Sequence, residues 1–253
     1  MAWLFLLDDL IDESDLGKDA DLLHEHLRDM LEVAIGKEAA DSPMGRALEE
    51  IITQASHGMA NDWQLRFRRH VADYLSACVW QAAHRQHGQM PSQEAFPAKR
   101  REFGAILPSF DLVERTEASC LPPSLYYSRP YQDLLIAAAD VVCWTNDLMT
   151  VEKEAAQGDP HNLVLVTAHH RRLDRHAATL AVADACEKRL LAHERAHRDL
   201  TVLTQTLDAP PSARRNADRC ARALIGWARG HLEWGAATPR YDATTAAPRA
   251  EAS

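Results

Sequence analysis

The sequence predicts an all-α protein, and three observations carry that expectation. Apolar residues recur at three- and four-residue spacing along nearly the whole chain. Alternation of apolar and polar residues is nearly absent, and no run reads as a strand. Several stretches are apolar on more than one side, as helices inside a bundle are.

In chain order, the first helical piece covers Met1 to Asp15. The second covers Asp21 to Ile35, with Leu22, Leu23, His26, Leu27, Met30 and Leu31 on one stripe. Ser42-Pro43 reads as a cap followed by a first-turn proline, opening a helix to His57. Asn61 or Asp62 caps a long helix that ends before Gly88. Ser92 starts a segment through Arg100 and Arg101 that Gly104 and Pro108 should break. After Pro122-Pro123, an apolar helix runs from Tyr131 to Ala156 and closes at Gly158-Asp159-Pro160. Helices over Asn162 to Arg172, Asp174 to Leu207 and Ser212 to Gly235 complete the set. No solenoid-period repeat and no linker divides the chain, which reads as one domain over 1–241. The small polar stretch 242–253 reads as a disordered tail.

Composition narrows the function. The chain has 253 residues, 46% of them hydrophobic and 26% charged, which suits a globule with a real core and excludes a disordered chain. A formal charge of −9 argues against gripping nucleic acid by bulk charge. The five cysteines are odd in number and scattered, with no CxxC pair. A disulfide framework or zinc site is disfavoured, and a reducing cytoplasm fits. No membrane span is read. The apolar start, Met1 to Leu7, meets Asp8 and Asp9 too soon for a signal peptide.

Two motifs carry chemistry. The first is Asp8-Asp9-Leu10-Ile11-Asp12-Glu13. At about 100° per residue, Asp8 and Asp12 point one way, with Asp9 and Glu13 as a parallel pair beside them. Carboxylates this crowded call for a cation or basic partner, and oxygen-only donors select magnesium or manganese. The same residues also read as a solvated acidic helix end, and both readings stay open. The second motif runs from Asn146 to Glu154 in the most apolar helix. Asn146, Thr150 and Glu154 stack at i, i+4, i+8 over about 12 Å, presenting an amide oxygen, a hydroxyl and a carboxylate. Lys153 lies within about 20° of that face. A cation beside metal donors makes sense when both serve one phosphate group. Asp147 and Glu152 face elsewhere and read as ordinary surface polarity at a helix end.

Together the motifs carry a resemblance. Asp8-Asp9-x-x-Asp12-Glu13 resembles the aspartate-rich motif of bacterial class I terpene synthases. Asn146-Asp147-x-x-Thr150-x-x-Lys153-Glu154 resembles their second metal motif. Arg100 stands 46 residues before Asn146, where the family carries a diphosphate-sensing arginine. Phe103 and Gly104 resemble the linker and effector positions that follow it. Trp234 before Arg240-Tyr241 resembles the C-terminal signature. The implied fold is the class I terpenoid-synthase α-helical bundle. Only seven residues precede Asp8 where the family has several helices, so the bundle is expected to lack its N-terminal helices.

The resemblance implies magnesium-dependent ionisation of an isoprenyl diphosphate and cyclisation to a sesquiterpene. Farnesyl diphosphate is the expected substrate and geranyl diphosphate the runner-up. Asp8, Asp12 and Glu13 would serve one metal, and Asn146, Thr150 and Glu154 another. Three magnesium ions are expected, with manganese as the alternative. Arg100, Lys153, Arg240 and Tyr241 would donate to diphosphate oxygens, while Asp9 would accept a hydrogen bond from Arg100. Phe5, Trp80 and Trp234 are the cavity-lining candidates. No nucleic acid or membrane partner is implied, and a homodimer is an allowed assembly. A prenyl diphosphate synthase, or an inactive helical remnant that acts as an interaction protein, are the rival readings. Beside these, Trp144 is expected between helices, Trp80 reads equally as core, and Arg101 reads as surface decoration. Arg66, Arg68, Arg69 and His70 read as a charged helix surface, and His169-His170 as no metal site.

Overall fold

The computed structural model describes residues 2–12, 14–37 and 40–238. The described residues form helices and no strand. The helices are α1 (Ala2–Asp12), α2 (Ala20–Ile35), α3 (Pro43–Ser56), α4 (Asn61–His87), α5 (Phe96–Phe103) and α6 (Ile106–Thr116). A single turn, α7 (Pro123–Tyr126), precedes α8 (Arg129–Gln157), α9 (Leu163–Arg171), α10 (Arg175–Thr206) and α11 (Pro211–Ala237).

Local chemistry explains most boundaries. Ser42 Oγ accepts from the Gly45 amide at 2.9 Å and Pro43 follows it, as the sequence predicts for α3. Asn162 and Asp174 cap α9 and α10 through the Val164 and Ala177 amides. Gly88 and Gly158 end α4 and α8 in the left-handed region, where a side chain would be strained.

Four expectations are corrected. The first helix stops at Asp12, and Ser14 opens a short 3-10 turn over Asp15–Lys18. Asn61 begins α4 rather than capping it; Ala60 holds the cap position with no side-chain bond. Pro108 does not break a helix: it lies in the first turn of α6, where its missing N–H leaves no bond unmade. The break falls at Gly104-Ala105, with Ala105 at φ 50°. Leu22, read as part of the α2 stripe, is 48% exposed, while Leu23, Leu27 and Met30 are fully buried.

Two apolar clusters result. One gathers α1 to α4 around Leu7, Leu27, Ile52, Trp63 and Leu75. The other surrounds α8, whose Leu134, Ala138 and Val141 meet α10 and α11 through Val182 and Leu224. By length and composition α8 is apolar enough to cross a membrane, but 78% of its most apolar window lies inside the bundle. A core helix surrounded by helices needs that composition. Trp144 packs there as expected, under the Arg189 guanidinium.

Buried charge joins the elements. Arg66 of α4 is buried, which overturns its reading as helix surface. Its Nε donates to Asp111 at 2.8 Å and its Nη2 to Glu114 at 2.5 Å, both on α6. Arg101 is likewise no surface decoration. It donates to the fully buried Asp140 of α8 at 2.6 Å, and Arg189 of α10 lies 2.8 Å from the other oxygen. These pairs pin α4, α6, α5 and α10 around α8.

Candidate active site

The site is built where the two clusters meet. On one side α8 delivers its second half. Asn146, Thr150 and Glu154 lie along its inner face, Thr150 buried and the other two half-buried. Thr150 Oγ donates to the Asn146 carbonyl at 3.0 Å, the usual backbone partner one turn back. Glu154 accepts from Asn162 Nδ2 at 2.7 Å. Burial, then the neighbouring Asp147 charge, push the Glu154 carboxyl up to about 8 against that bond.

Arg100 of α5 reads this helix directly. Its Nε donates to Asp147 Oδ1 at 2.7 Å and its Nη2 to Asn146 Oδ1 at 2.9 Å. Burial pulls the guanidinium below its ordinary value; the Asp147 carboxylate outweighs that pull and holds Arg100 above it. The cation also lies 4.9 Å from the Phe103 ring centre. Gly104 closes α5 against this fork. A Cβ there would stand 2.6 Å from Arg100 Nη1 and 2.8 Å from the Arg100 carbonyl, so the glycine is a requirement of the approach.

Asp147 is therefore no surface residue. It is fully buried, with its second oxygen accepting from the Leu163 amide at 2.8 Å. Arg100 therefore holds a carboxylate of its own partner helix. Glu152 does face away, paired with Arg175 of α10.

On the other side stands the acidic end of α1. Arg85, in the last turn of α4, approaches Asp12 to 3.0 Å through Nη2. The same Nη2 and Nε donate to Asp159 Oδ2 at 2.6 and 3.0 Å. Asp159 lies just past α8, so one arginine ties the first motif to the end of the second motif's helix. His161 Nδ1 donates to Asp159 Oδ1 at 2.6 Å. Half of the Asp12 side chain meets solvent. Partial burial and then Asp8 still push its carboxyl up to about 6, against the pull of Arg85. Asp8 also acts electrostatically on Tyr74 and Cys78 of α4.

Aromatic residues surround this junction. Phe5 of α1 meets Trp234 of α11 with ring centres 5.7 Å apart. Trp80 stacks on Phe103 at 6.3 Å and meets His161 edge-on at 5.5 Å. His231 is held below its ordinary value by burial and by the Arg100 charge, which places α11 near Arg100. Lys153 is half-buried in the last turns of α8. Glu13, Arg240, Tyr241 and the 242–253 tail lie outside the described residues. Two cavities, of about 200 and 310 Å³, lie elsewhere: between α10 and α11, and beside Pro122-Pro123.

Among the described residues, no three His, Cys, Asp or Glu side chains form a ready cage for an ion. His170 instead pairs with the Pro91 carbonyl at 2.8 Å. The donors that do face the junction are hard oxygens, and burial with a neighbouring carboxylate holds both Asp12 and Glu154 above the usual carboxylate range. That set fits a divalent cation whose shell is completed by a ligand's own oxygens.

Four contributors escaped the motif reading: Asp147, Asn162, Arg85 and Asp159. Asn162 alone left a signal, since it reads as a helix start. Its amide also reaches Glu154 and the Asp147 carbonyl, each at 2.7 Å.

Comparison with known proteins bears on this geometry. The sequence profile described as terpene synthase family 2, C-terminal metal binding, matches residues 1–191. The chain is 66% identical over 217 residues to (-)-delta-cadinene synthase of Streptomyces clavuligerus, covering 86% of this chain and 66% of that protein. It is 36% identical over 197 residues to a (+)-T-muurolol synthase of Roseiflexus castenholzii, described as cyclising (2E,6E)-farnesyl diphosphate. That match covers 72% of this chain and 59% of the relative. The chain thus spans about two thirds, or less, of these relatives' lengths. Germacradien-4-ol synthase from Streptomyces citricolor superposes with a TM-score of 0.83 at 25% identity, over 93% of this chain and 75% of that one. On this sequence match and the helical bundle that carries it, the chain belongs to terpene synthase family 2, whose C-terminal domain binds metal.

Proposed function

We propose that the chain is a class I terpene cyclase that ionises an isoprenyl diphosphate, farnesyl diphosphate foremost, and cyclises it to a sesquiterpene with release of diphosphate. The observation that carries this reading is the Arg85 bridge from Asp12 to Asp159. It ties the first motif to the end of the helix that carries the second, which supports a reading in which a single diphosphate meets both. The activities named for the two sequence relatives support the sesquiterpene class.

Asp8, Asp12 and Glu13 would hold one magnesium ion, and Asn146, Thr150 and Glu154 another. Bound magnesium supplies the charge that stabilises the departing diphosphate. Arg100, already charged and oriented by Asp147, donates to diphosphate oxygens as the C–O bond breaks. Lys153, Arg240 and Tyr241 are assigned to the same task. Phe5 against Trp234 covers the junction and helps exclude water, which would quench the cation. Trp80 and Phe103 present ring faces behind Arg100, suited to sheltering positive charge.

The test is incubation with farnesyl or geranyl diphosphate and magnesium, following diphosphate release and volatile products by mass spectrometry. A cyclic C15 hydrocarbon or alcohol is expected, with cadinene the first product to look for. A longer prenyl diphosphate, formed when isopentenyl diphosphate is added as the five-carbon acceptor, would instead identify a chain-elongating synthase. No magnesium-dependent release from either substrate would identify an inactive helical protein.

A further inference from the structure

We propose that Arg85 is the resting counter-ion of Asp12: anchored on Asp159, it holds this carboxylate in place until a divalent cation takes it over. The inference rests on the metal-dependent reading above and deepens it. Arg85 lies outside both motifs, yet it touches the first and is fastened beside the second.

Its two contacts are unequal. Asp159 receives two N–H groups on one oxygen, at 2.6 and 3.0 Å, in a partly buried setting. Asp159 is itself fixed from its other oxygen by the His161 ring and the His161 amide. Arg85 and His161 outweigh burial and hold Asp159 well below the usual carboxylate range, so it stays ionised. Asp12 stands at 3.0 Å, with half of its side chain in solvent. Breaking the Asp12 contact therefore leaves Arg85 paired and buried charge compensated, whereas breaking the Asp159 contact does not. The pair is built to part on one side only. While metal is absent, Arg85 offsets the repulsion between Asp12 and Asp8 and keeps the end of α1 aimed at the junction. When a cation arrives, Asp12 changes partner and Arg85 remains on Asp159.

This makes Arg85 and Asp159 positioning residues with opposite effects on metal capture. The test is titration of the substrate-free chain with Mn2+, followed by electron paramagnetic resonance. Arg85→Gln removes the competitor and tightens Mn2+ binding by on the order of fivefold. Asp159→Asn frees Arg85 to settle fully on Asp12 and weakens binding by a similar factor. Both shifts persist when salt is raised from about 0.1 M to about 0.5 M, where the Debye length is down to about 4 Å and only direct contacts survive screening. Thermal melts establish that each variant is folded; should Arg85→Gln fail to fold, Asp159→Asn still decides.

Weaker binding in both variants would make Arg85 a structural staple and overturn the proposal. Shifts that vanish at high salt would reduce it to a long-range field effect and also overturn it. Absence of Mn2+ binding by the unaltered chain would remove the metal-dependent reading itself, an outcome separate from these two.

Discussion

At Glu154, helix geometry alone foretold the partners: two turns of α8 put its carboxylate in line with Asn146 and Thr150, and the structure keeps all three on the inner face. Replacing Glu154 or Asn146 by alanine should abolish magnesium-dependent diphosphate release in a chain that still melts cooperatively, since each change removes a metal donor. Normal turnover in either variant would refute the metal assignment. Asp147 was not legible in this way. It is the next residue along, off the donor face, and its partner Arg100 is 47 residues distant. Only the tertiary fold reveals that the carboxylate orients the arginine. Gly104 was legible as a helix break, but its reason is steric. Gly104→Ala should push Arg100 aside and lower kcat by on the order of a hundredfold, the scale expected for a misplacement of about 1 Å. An unchanged kcat would show that the fork is not read by substrate.

Among elements, α4 shows where sequence patterning fails. Its run of Arg66, Arg68, Arg69 and His70 looks like a solvated face, and periodicity alone could not single out the buried member. Arg66 lies inward because Asp111 and Glu114 of α6 meet it, while Arg68 caps the Val33 carbonyl of α2. Arg66→Leu should strip buried Asp111 and Glu114 of their shared guanidinium, leaving Asp111 only its His70 contact, and destabilise the fold by about 3–5 kcal/mol in chemical denaturation. A loss below about 1 kcal/mol would mean the pair contributes little. The α8–α9 junction was half legible: Asn162 reads as a cap, but its reach to Glu154 depends on how the chain turns after Gly158. Asn162→Leu should therefore cost about 1–3 kcal/mol through the lost cap and stranded carbonyl, and lower turnover as well. A variant with full stability and activity would count against the dual role.

For the whole molecule, element order and the bundle were written in the apolar spacing, because burial on one or more faces is a local, repeating demand on each helix. The joining of the two clusters was not, since it depends on single charges far apart in the chain, such as Arg85 with Asp159. Global stability should report one such buried group. Burial, then the neighbouring His197, push His193 of α10 down to about 4. The unfolded chain takes up that proton near its ordinary value of 6.5, so falling pH between these values favours unfolding. Tm should drop as pH is lowered through that window, and His193→Leu should flatten the slope; an equal slope in the variant would exclude this residue as the cause. The central claim, that α1 and α8 serve one diphosphate across a common gap, is tested most directly by anomalous diffraction from crystals grown with Mn2+ and inorganic diphosphate. Manganese peaks are expected against both Asp8–Asp12 and Asn146–Glu154, bridged by a single diphosphate on Arg100. Peaks on separate surfaces, or a diphosphate bound away from both helices, would contradict that claim.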